Sequence, residues 1–431
     1  MDTITVCGGR QLSGEVIIHG AKNSALPLLA ASLLAHGVSE IHNCPHLSDV
    51  RASMAILRHL GCRVQRQGDT VTVDATAPVG SDIPDSLMRE MRSSIVFLGA
   101  IIARCGEATM SYPGGCELGP RPIDLHLAAL RRLGVTVEER HGHICCRAEK
   151  GLHGAEITLA FPSVGATENV LLAACTAQGT TVLRHAAREP EIQDLCTYLN
   201  ACGARIQSSA DGVLTIEGVP RLHGCAHRVM PDRIEAATYL AAAAVTGGKL
   251  TLHRCCAEHT SPVFPALEES GCVIRSLPTE DGLEVLSVSA PARLRSLGTV
   301  RTMPYPGFPT DAAAPLLAAA CVAHGTSVFV ESIFENRYKY VDELARMGAR
   351  IRVDGRVAVV EGVSALQGAS VACTDLRGGA ALVVAALAAA GETTVCELRH
   401  LDRGYADLTD SLRAVGADIR RNRIAESNIK E

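Results

Sequence analysis

The sequence carries no excess of charge of either sign, no long apolar run and none of the common glycine-rich or paired-cysteine ligand motifs. Its 41 basic and 46 acidic side chains leave a net charge of -5, too evenly balanced for a nucleic-acid groove or a polybasic membrane patch. An anionic ligand must then be held by a local site. The longest apolar run, AALVVAALAAA at 380–390, has eleven residues, well short of the roughly 20 needed to cross a bilayer. The opening MDTITVCGGRQ has no basic stretch followed by an apolar one, so no secretory signal is expected and the chain reads as soluble and cytoplasmic. Its seventeen cysteines come with neither CxxC spacing nor a paired-histidine framework. An odd number, many of them in apolar runs as at Cys175 and Cys321, fits a reducing compartment, with neither disulfides nor zinc expected. No GxxxxGK[ST] phosphate loop occurs.

What the chain does contain is a repeat. With 431 residues, 47% of them hydrophobic, it can build two or more domains with sizeable cores. Helical segments end in glycine at Gly61, Gly134, Gly203, Gly271, Gly348 and Gly416, spaced 68 to 77 residues apart. Ahead of each lies a more apolar, alanine-rich helix expected to end at Gly37, Gly106, Gly179, Gly247, Gly325 or Gly391, followed by a β-rich run such as GTTVLRHA. Each unit therefore reads as buried helix, strand, amphipathic helix and a pair of short strands, the first pair (62–75) turning at Gly68 and Asp69. A helix that is apolar all round must be wrapped on every side, so three of them inside three sheets make one domain and six copies make two. An open solenoid fits less well, because solenoid periods are usually shorter.

Counting back fourteen or fifteen residues from the second series of glycines lands on Lys22, Arg92, Gly165, Asp232, Asp311 and Arg377. At Asp232 and Asp311 helix capping accounts for the residue type. Capping cannot explain Lys22, Arg92 and Arg377, because a cation at a helix N-terminus opposes the dipole unless an anion sits there too. A separate stretch, PGGCELGPRP at 113–122, mixes glycine and proline in a shaped loop that presents Cys116 and Arg121.

These residues lie in motifs with a known likeness. HGAKNSALPLLAASLLA (19–35), MRSSIVFLGA (91–100), PGGCELGPRPIDLH (113–126), FPSVGATEN (161–169), AAREPEI (186–192), MPDRIEAATYL (230–240), YPGFPTD (305–311), FENRY (334–338), TDLR (374–377) and HLDRGY (400–405) together resemble the UDP-N-acetylglucosamine enolpyruvyl transferase (1-carboxyvinyltransferase) family nearly end to end. The resemblance to 5-enolpyruvylshikimate-3-phosphate synthase, which lacks the thiol loop, is more distant. The family likeness implies a two-domain inside-out α/β barrel of six βαβαββ repeats, three per domain, with the active site in the interdomain cleft. It also implies that the chain crosses over, placing 21–229 in one domain and 1–20 plus 230–431 in the other.

The implied reaction moves the enolpyruvyl group of phosphoenolpyruvate to the sugar 3-hydroxyl and releases phosphate, the first committed step of peptidoglycan synthesis. By the resemblance, Lys22, Arg121 and Arg403 bind phosphoenolpyruvate, with Arg92 and Arg377 supporting them. Asp311 is the base for the hydroxyl, Cys116 the acid for the methylene carbon, and Asn23 a hydrogen-bonding partner of the intermediate. The nucleotide-sugar contacts carried over are Arg121, Pro122, Ile123, Asp124, Leu125, Ser163, Val164, Gly165, Asp311 and Ile333. The partners implied are these two small molecules, with no cofactor, metal, nucleic acid or membrane. His126 and His400 receive no catalytic role, and Glu189, Glu191, Asp232 and Glu235 read as caps and ion-pair partners. Three departures from the family pattern stand out: AAAP at 312–315, with Pro315 expected in a first helical turn, Tyr340 where the family has histidine, and Gly378 where alanine is common. The alternatives are a shikimate-type transferase and a catalytically silent paralogue that binds nucleotide sugar.

Overall fold

The structure, a computed structural model, describes residues 2–112, 123–209 and 211–423. Two kinds of helix organise it. The first is apolar all round: Lys22–Ser32, Phe97–Cys105, Val164–Ala174, Arg233–Thr246, Thr310–Ala320 and Leu376–Ala388. In the last of these every residue from Arg377 to Leu387 is buried, as a helix without a polar face requires. The second kind is amphipathic. Ser48–His59 buries Val50, Met54 and Leu57 and turns Arg51 and Arg58 outward, so it covers a core rather than forming one. In the fourth repeat this element is broken into Ala257–Thr260, a 3-10 turn at Ser261–Val263 and Phe264–Glu269.

Glycine ends the amphipathic helices for a steric reason. Gly61, Gly134, Gly203, Gly271, Gly348 and Gly416 have φ between 87° and 102°, the left-handed conformation that a residue with Cβ seldom adopts and that closes a helix C-terminus. The other glycine series closes only two of the apolar helices, at Gly106 and Gly247. The other four stop at Ser32, Ala174, Ala320 and Ala388, ahead of Gly37, Gly179, Gly325 and Gly391, of which only Gly37 lacks a positive φ.

Among the described residues the strands form six four-stranded sheets of one topology and a small parallel pair, Leu366–Gln367 with Ala389–Ala390. In one of them Thr326–Val330 pairs in parallel with Thr299–Arg301 and antiparallel with Val357–Glu361, which in turn pairs with Arg350–Asp354. Two closures depart from chain order. Ala226–Arg228, at the end of the third repeat, is the edge strand beside Val38–His42 of the first. Thr3–Cys7 lies between Glu392–Cys396 and Asp418–Asn422, and Ser13–Ile17 runs parallel to Lys249–Cys255.

The chain divides into two compact units, one from Gly20 to Met230, the other from the N-terminal residues through His19 together with Pro231 onward. In the latter the helices Arg233–Thr246, Thr310–Ala320 and Leu376–Ala388 pack pairwise on one another. In the former Lys22–Ser32 and Val164–Ala174 both pack on Phe97–Cys105. Helices lie inside and sheets outside in each, the inside-out α/β arrangement.

Proline corrects one expectation. The helix begins at Thr310, so Pro315 is its sixth residue and sits in the second turn, not the first. Pro27 holds the same place in Lys22–Ser32. Proline has no N–H, so the carbonyls of Asn23 and Asp311, four residues earlier, receive no helical bond from it, a cost of about 3 kcal/mol in an ordinary helix. Both helices tolerate it because their neighbours bury them on all sides.

Candidate active site

In the C-terminal unit the helix start at Thr310 places Asp311 among cations. Its Oδ1 accepts from Arg337 Nη2 at 2.8 Å and its Oδ2 from Arg377 Nη2 at 3.0 Å. Both arginines are about 2% exposed while the Asp311 side chain keeps 27%, so the carboxylate is the part of this cluster that solvent or a ligand reaches. Asp311 therefore does not cap its helix, contrary to the sequence reading, since the N-cap is Pro309 with no side-chain bond. Asp232 does cap, accepting from the N–H groups of Ile234 and Glu235.

Arg377 is held from several sides. Its own helix start is capped by Asp375, which accepts from the N–H groups of Arg377 and Gly378. Its Nη1 donates to the Tyr405 hydroxyl at 3.2 Å, and that oxygen lies 2.7 Å from Thr238 Oγ1. Burial works against its charge, but the Asp311 carboxylate holds the guanidinium protonated, above its ordinary range. The anion that compensates this cation at a helix start is thus a protein carboxylate. Ile333 is fixed nearby in sequence terms by Glu331, whose Oε1 accepts from the N–H groups of Ile333 and Phe334 and whose Oε2 accepts from Thr310 Oγ1. Arg403 lies in the 3-10 turn Leu401–Arg403, which packs against the Leu376–Ala388 helix.

Two of the family departures are neighbours here. Tyr340 is fully buried, and a Cβ built on Gly378 would come within 2.8 Å of the Tyr340 Cβ and 2.7 Å of Asp375 Oδ2. An alanine at 378 would need a shift of Asp375 or of the backbone at 340, so this glycine fits a tightly packed helix start.

In the other unit, Lys22 opens its helix with Nζ 3.0 Å from Asp49 Oδ2, and Asp49 is 1% exposed. A surface ion pair is worth little, whereas this pair is buried at the head of two helices. Asn23 follows, half-buried. Ile123, Asp124 and Leu125 begin the Asp124–Arg132 helix, which packs on Val164–Ala174. The join is made by His126 and Asn169, with Nδ1 and Nδ2 2.9 Å apart. Burial lowers His126 to about 4, so it is neutral and structural. A Cβ on Gly165 would meet His126 Cε1 at 2.9 Å, so glycine at this position lets the backbone approach the histidine ring. Ser163 caps the helix, accepting from the Ala166 N–H. The structure thus brings the 123–125 and 163–165 segments together. The 3-10 turn Arg92–Val96 packs on the Lys22 and Val164 helices. Cys116, Arg121, Pro122 and the side chain of Arg92 lie outside the described residues.

Glu168, one turn into the Val164–Ala174 helix, is buried. Burial, then Glu191 and Glu189, push it up to about 8. An unfolded glutamate titrates near ~4.3. Between those values the folded chain binds a proton that the unfolded chain has released, so stability falls as pH rises toward about 8 and levels off above. Glu168→Gln is expected to raise the melting temperature by at least about 4 °C at a pH of about 8.5 and to change it little at about 5. Equal shifts at both pH values in thermal melts would remove this cause.

Comparisons with known proteins then place the chain. A family model described as EPSP synthase (3-phosphoshikimate 1-carboxyvinyltransferase) matches residues 6–412. The UDP-N-acetylglucosamine 1-carboxyvinyltransferase 2 of Caldanaerobacter subterraneus subsp. tengcongensis is 50% identical over 419 residues, 97% of this chain and 99% of that protein. The chain belongs to this family of enolpyruvyl transferases. A further family member, the UDP-N-acetylglucosamine 1-carboxyvinyltransferase of Nitratidesulfovibrio vulgaris, is 48% identical over 98% of this chain and 99% of its own length. Among solved structures, the enolpyruvyl transferase NikO from Streptomyces tendae superposes with a TM-score of 0.85 at 28% identity, covering 97% of this chain and 98% of that one. An EPSP synthase from Acinetobacter baumannii shares the enolpyruvyl transferase fold with a TM-score of 0.73 at 18% identity, covering 98% and 100%. Among the described residues no helix is long and apolar enough to cross a membrane, and no group of three or more His, Cys, Asp or Glu is placed to hold a metal.

Sequence reasoning missed Arg337, Asp49 and Glu331 as members of these clusters. Arg337 stands in the FENRY stretch that carried the resemblance, so its motif was visible while its partner was not. Nothing local marks Asp49 or Glu331.

Proposed function

We propose that this chain transfers the enolpyruvyl group of phosphoenolpyruvate to the 3-hydroxyl of UDP-N-acetylglucosamine, in the cytoplasm, as the first committed step of peptidoglycan synthesis. The observation that carries the reading is the near full-length identity of 45% to 50% with proteins named for that activity, against 18% with an EPSP synthase. Phosphoenolpyruvate brings a phosphate and a carboxylate, so cations must gather on it: Lys22, Arg121 and Arg403, with Arg92 and Arg377 in support. The sugar oxygen adds to C2 of phosphoenolpyruvate as its proton passes to Asp311, and Cys116 gives a proton to the methylene carbon. Loss of phosphate and of a methyl proton from the tetrahedral intermediate then restores the double bond in the product. Asn23 hydrogen-bonds that intermediate. The 123–125 and 163–165 segments, joined through His126, contact the nucleotide sugar, as do Asp311 and Ile333. The exposed edge of Asp311, gripped from behind by Arg337 and Arg377, suits a group that must meet a substrate hydroxyl in a fixed orientation.

The test is phosphate release from phosphoenolpyruvate with either acceptor. Release with UDP-N-acetylglucosamine and none with shikimate 3-phosphate is expected. Release with shikimate 3-phosphate alone would replace the acceptor, and nucleotide-sugar binding without release would make the chain a silent paralogue.

A further inference from the structure

Sixteen of the cysteines lie among the described residues, all as free thiols, and two of them touch. Cys202 Sγ and Cys225 Sγ are 3.3 Å apart. The backbone holds them there. Cys202 follows the Pro190–Ala201 helix and its N–H donates to the Tyr198 carbonyl at 2.9 Å. The His223 N–H donates to the Cys202 carbonyl at 2.9 Å, while the Cys225 carbonyl accepts from the Glu40 N–H at 3.0 Å. Gly224, between the two anchors, runs so close to the strand Val38–His42 that a Cβ there would lie 1.9 Å from the Val38 carbonyl oxygen. The contact is therefore set by the fold on both sides, not by the rotamer of one side chain.

The two thiols differ as a reactive pair should. Cys202 is 1% exposed, whereas Cys225 is half-buried and reachable. The thiol–thiol hydrogen bond, in which either sulfur can donate, together with the nearby His227 and His223 lowers Cys225, while the same bond and burial push Cys202 up. A thiolate is the nucleophilic form of cysteine. Metal binding is not indicated, since no three-ligand group exists among the described residues.

We propose that Cys202 and Cys225 form a dithiol site that a peroxide converts to a disulfide. The Cys225 thiolate attacks one oxygen of hydrogen peroxide, breaking the O–O bond and leaving a sulfenic acid while the other oxygen departs as hydroxide, which a proton turns to water. Cys202 then attacks the Cys225 sulfur, giving up its proton, and the sulfenic oxygen leaves as a second water. Two thiols and one peroxide thus yield one disulfide and two waters. The bond joins the end of a helix in the third repeat to the chain entering Ala226–Arg228, the edge strand of the first repeat's sheet. It lies two residues before His227, whose Nε2 is 2.9 Å from Asp194 Oδ1, and Asp194 accepts a hydrogen bond from Ser24, next to Asn23.

The experiment treats the full chain with hydrogen peroxide, blocks remaining thiols and maps peptides by mass. A peptide pair linked through Cys202 and Cys225, lighter by two hydrogens, is expected at least about tenfold sooner than any loss of the buried Cys321 thiol. In Cys202→Ser, Cys225 should stop at sulfenic acid and be trapped by a cyclic 1,3-diketone, and in Cys225→Ser neither link nor trap should form at Cys202. Thiol loss elsewhere with Cys202 and Cys225 still reduced would overturn the proposal. The mapping needs no variant, so it decides the matter even where a substitution prevents folding.

Discussion

Asp311→Asn is expected to lower turnover by about a hundredfold to ten-thousandfold, the usual worth of a positioned acid or base, while nucleotide-sugar affinity changes by less than about tenfold, or ~1.4 kcal/mol. The amide keeps the shape and one acceptor but cannot take the hydroxyl proton. It also removes the carboxylate charge that bridges the guanidinium groups of Arg337 and Arg377, both nearly inaccessible. Breaking such a pair by removing one partner destabilises by several kcal/mol when all members are buried, and the partial exposure of Asp311 reduces that cost. Melting temperature and activity must therefore be read together. Turnover near normal, once scaled to the folded fraction, would reduce Asp311 to a structural counter-ion and move the base elsewhere.

The second large effect concerns Cys116. Cys116→Asp retains a group able to give a proton to carbon and is expected to stay active, whereas Cys116→Ser, far less acidic, should lose at least about a hundredfold in turnover. The epoxide fosfomycin, a small phosphonate that resembles phosphoenolpyruvate, should alkylate Cys116 and no other of the seventeen cysteines, and the aspartate variant should be resistant. The surroundings of the other thiols sharpen this. Burial pushes Cys196, Cys321 and Cys373 up to about 12, leaving them almost wholly protonated and weakly nucleophilic. Cys225, half-buried and with its thiol lowered, is a competitor the mapping must separate from Cys116. Peptide mapping that found the adduct on Cys225, or a serine variant of full activity, would remove the proton-donor role from Cys116.

Features that depend on a few adjacent residues were legible in the chain. A glycine after LRHL or LRAV has a local reason to be glycine, because it must adopt a left-handed φ to end the helix, and a cation that opens an apolar helix has a local reason to attract notice. Partnership across the chain was not legible. Whether Asp311 caps its own helix or binds cations is decided by Arg337, 26 residues away, and Arg377, 66 away, and both answers fit an aspartate in a first turn. His126 reads as a solvated or packed histidine until Asn169, 43 residues on, supplies its partner. Cys202 and Cys225 look like two more unpaired cysteines, 23 residues apart, until the third repeat's closing strand brings them into contact. The resemblance supplied the roles of Cys116 and Arg403, which no spacing or periodicity assigns.

The placement of Thr3–Cys7 between Glu392–Cys396 and Asp418–Asn422 has a consequence for the order in which the protein is made. The unit from Gly20 to Met230 contains all of its own strands once Arg228 has left the ribosome, so it can fold during translation. Thr3–Cys7 is synthesised long before either neighbour: it has none until Glu392–Cys396 is made and lacks the second until Asp418–Asn422 follows. At ribosomal rates of about 5–20 residues per second, the segment waits roughly 20–80 seconds with its edges open. A short strand rich in β-branched residues, TITVC, is a poor one to leave unpaired in a crowded cell. A circular permutant that begins at Lys249 and carries residues 1–248 behind Asn422 would bring Thr3–Cys7 out directly after its partners and remove the delay.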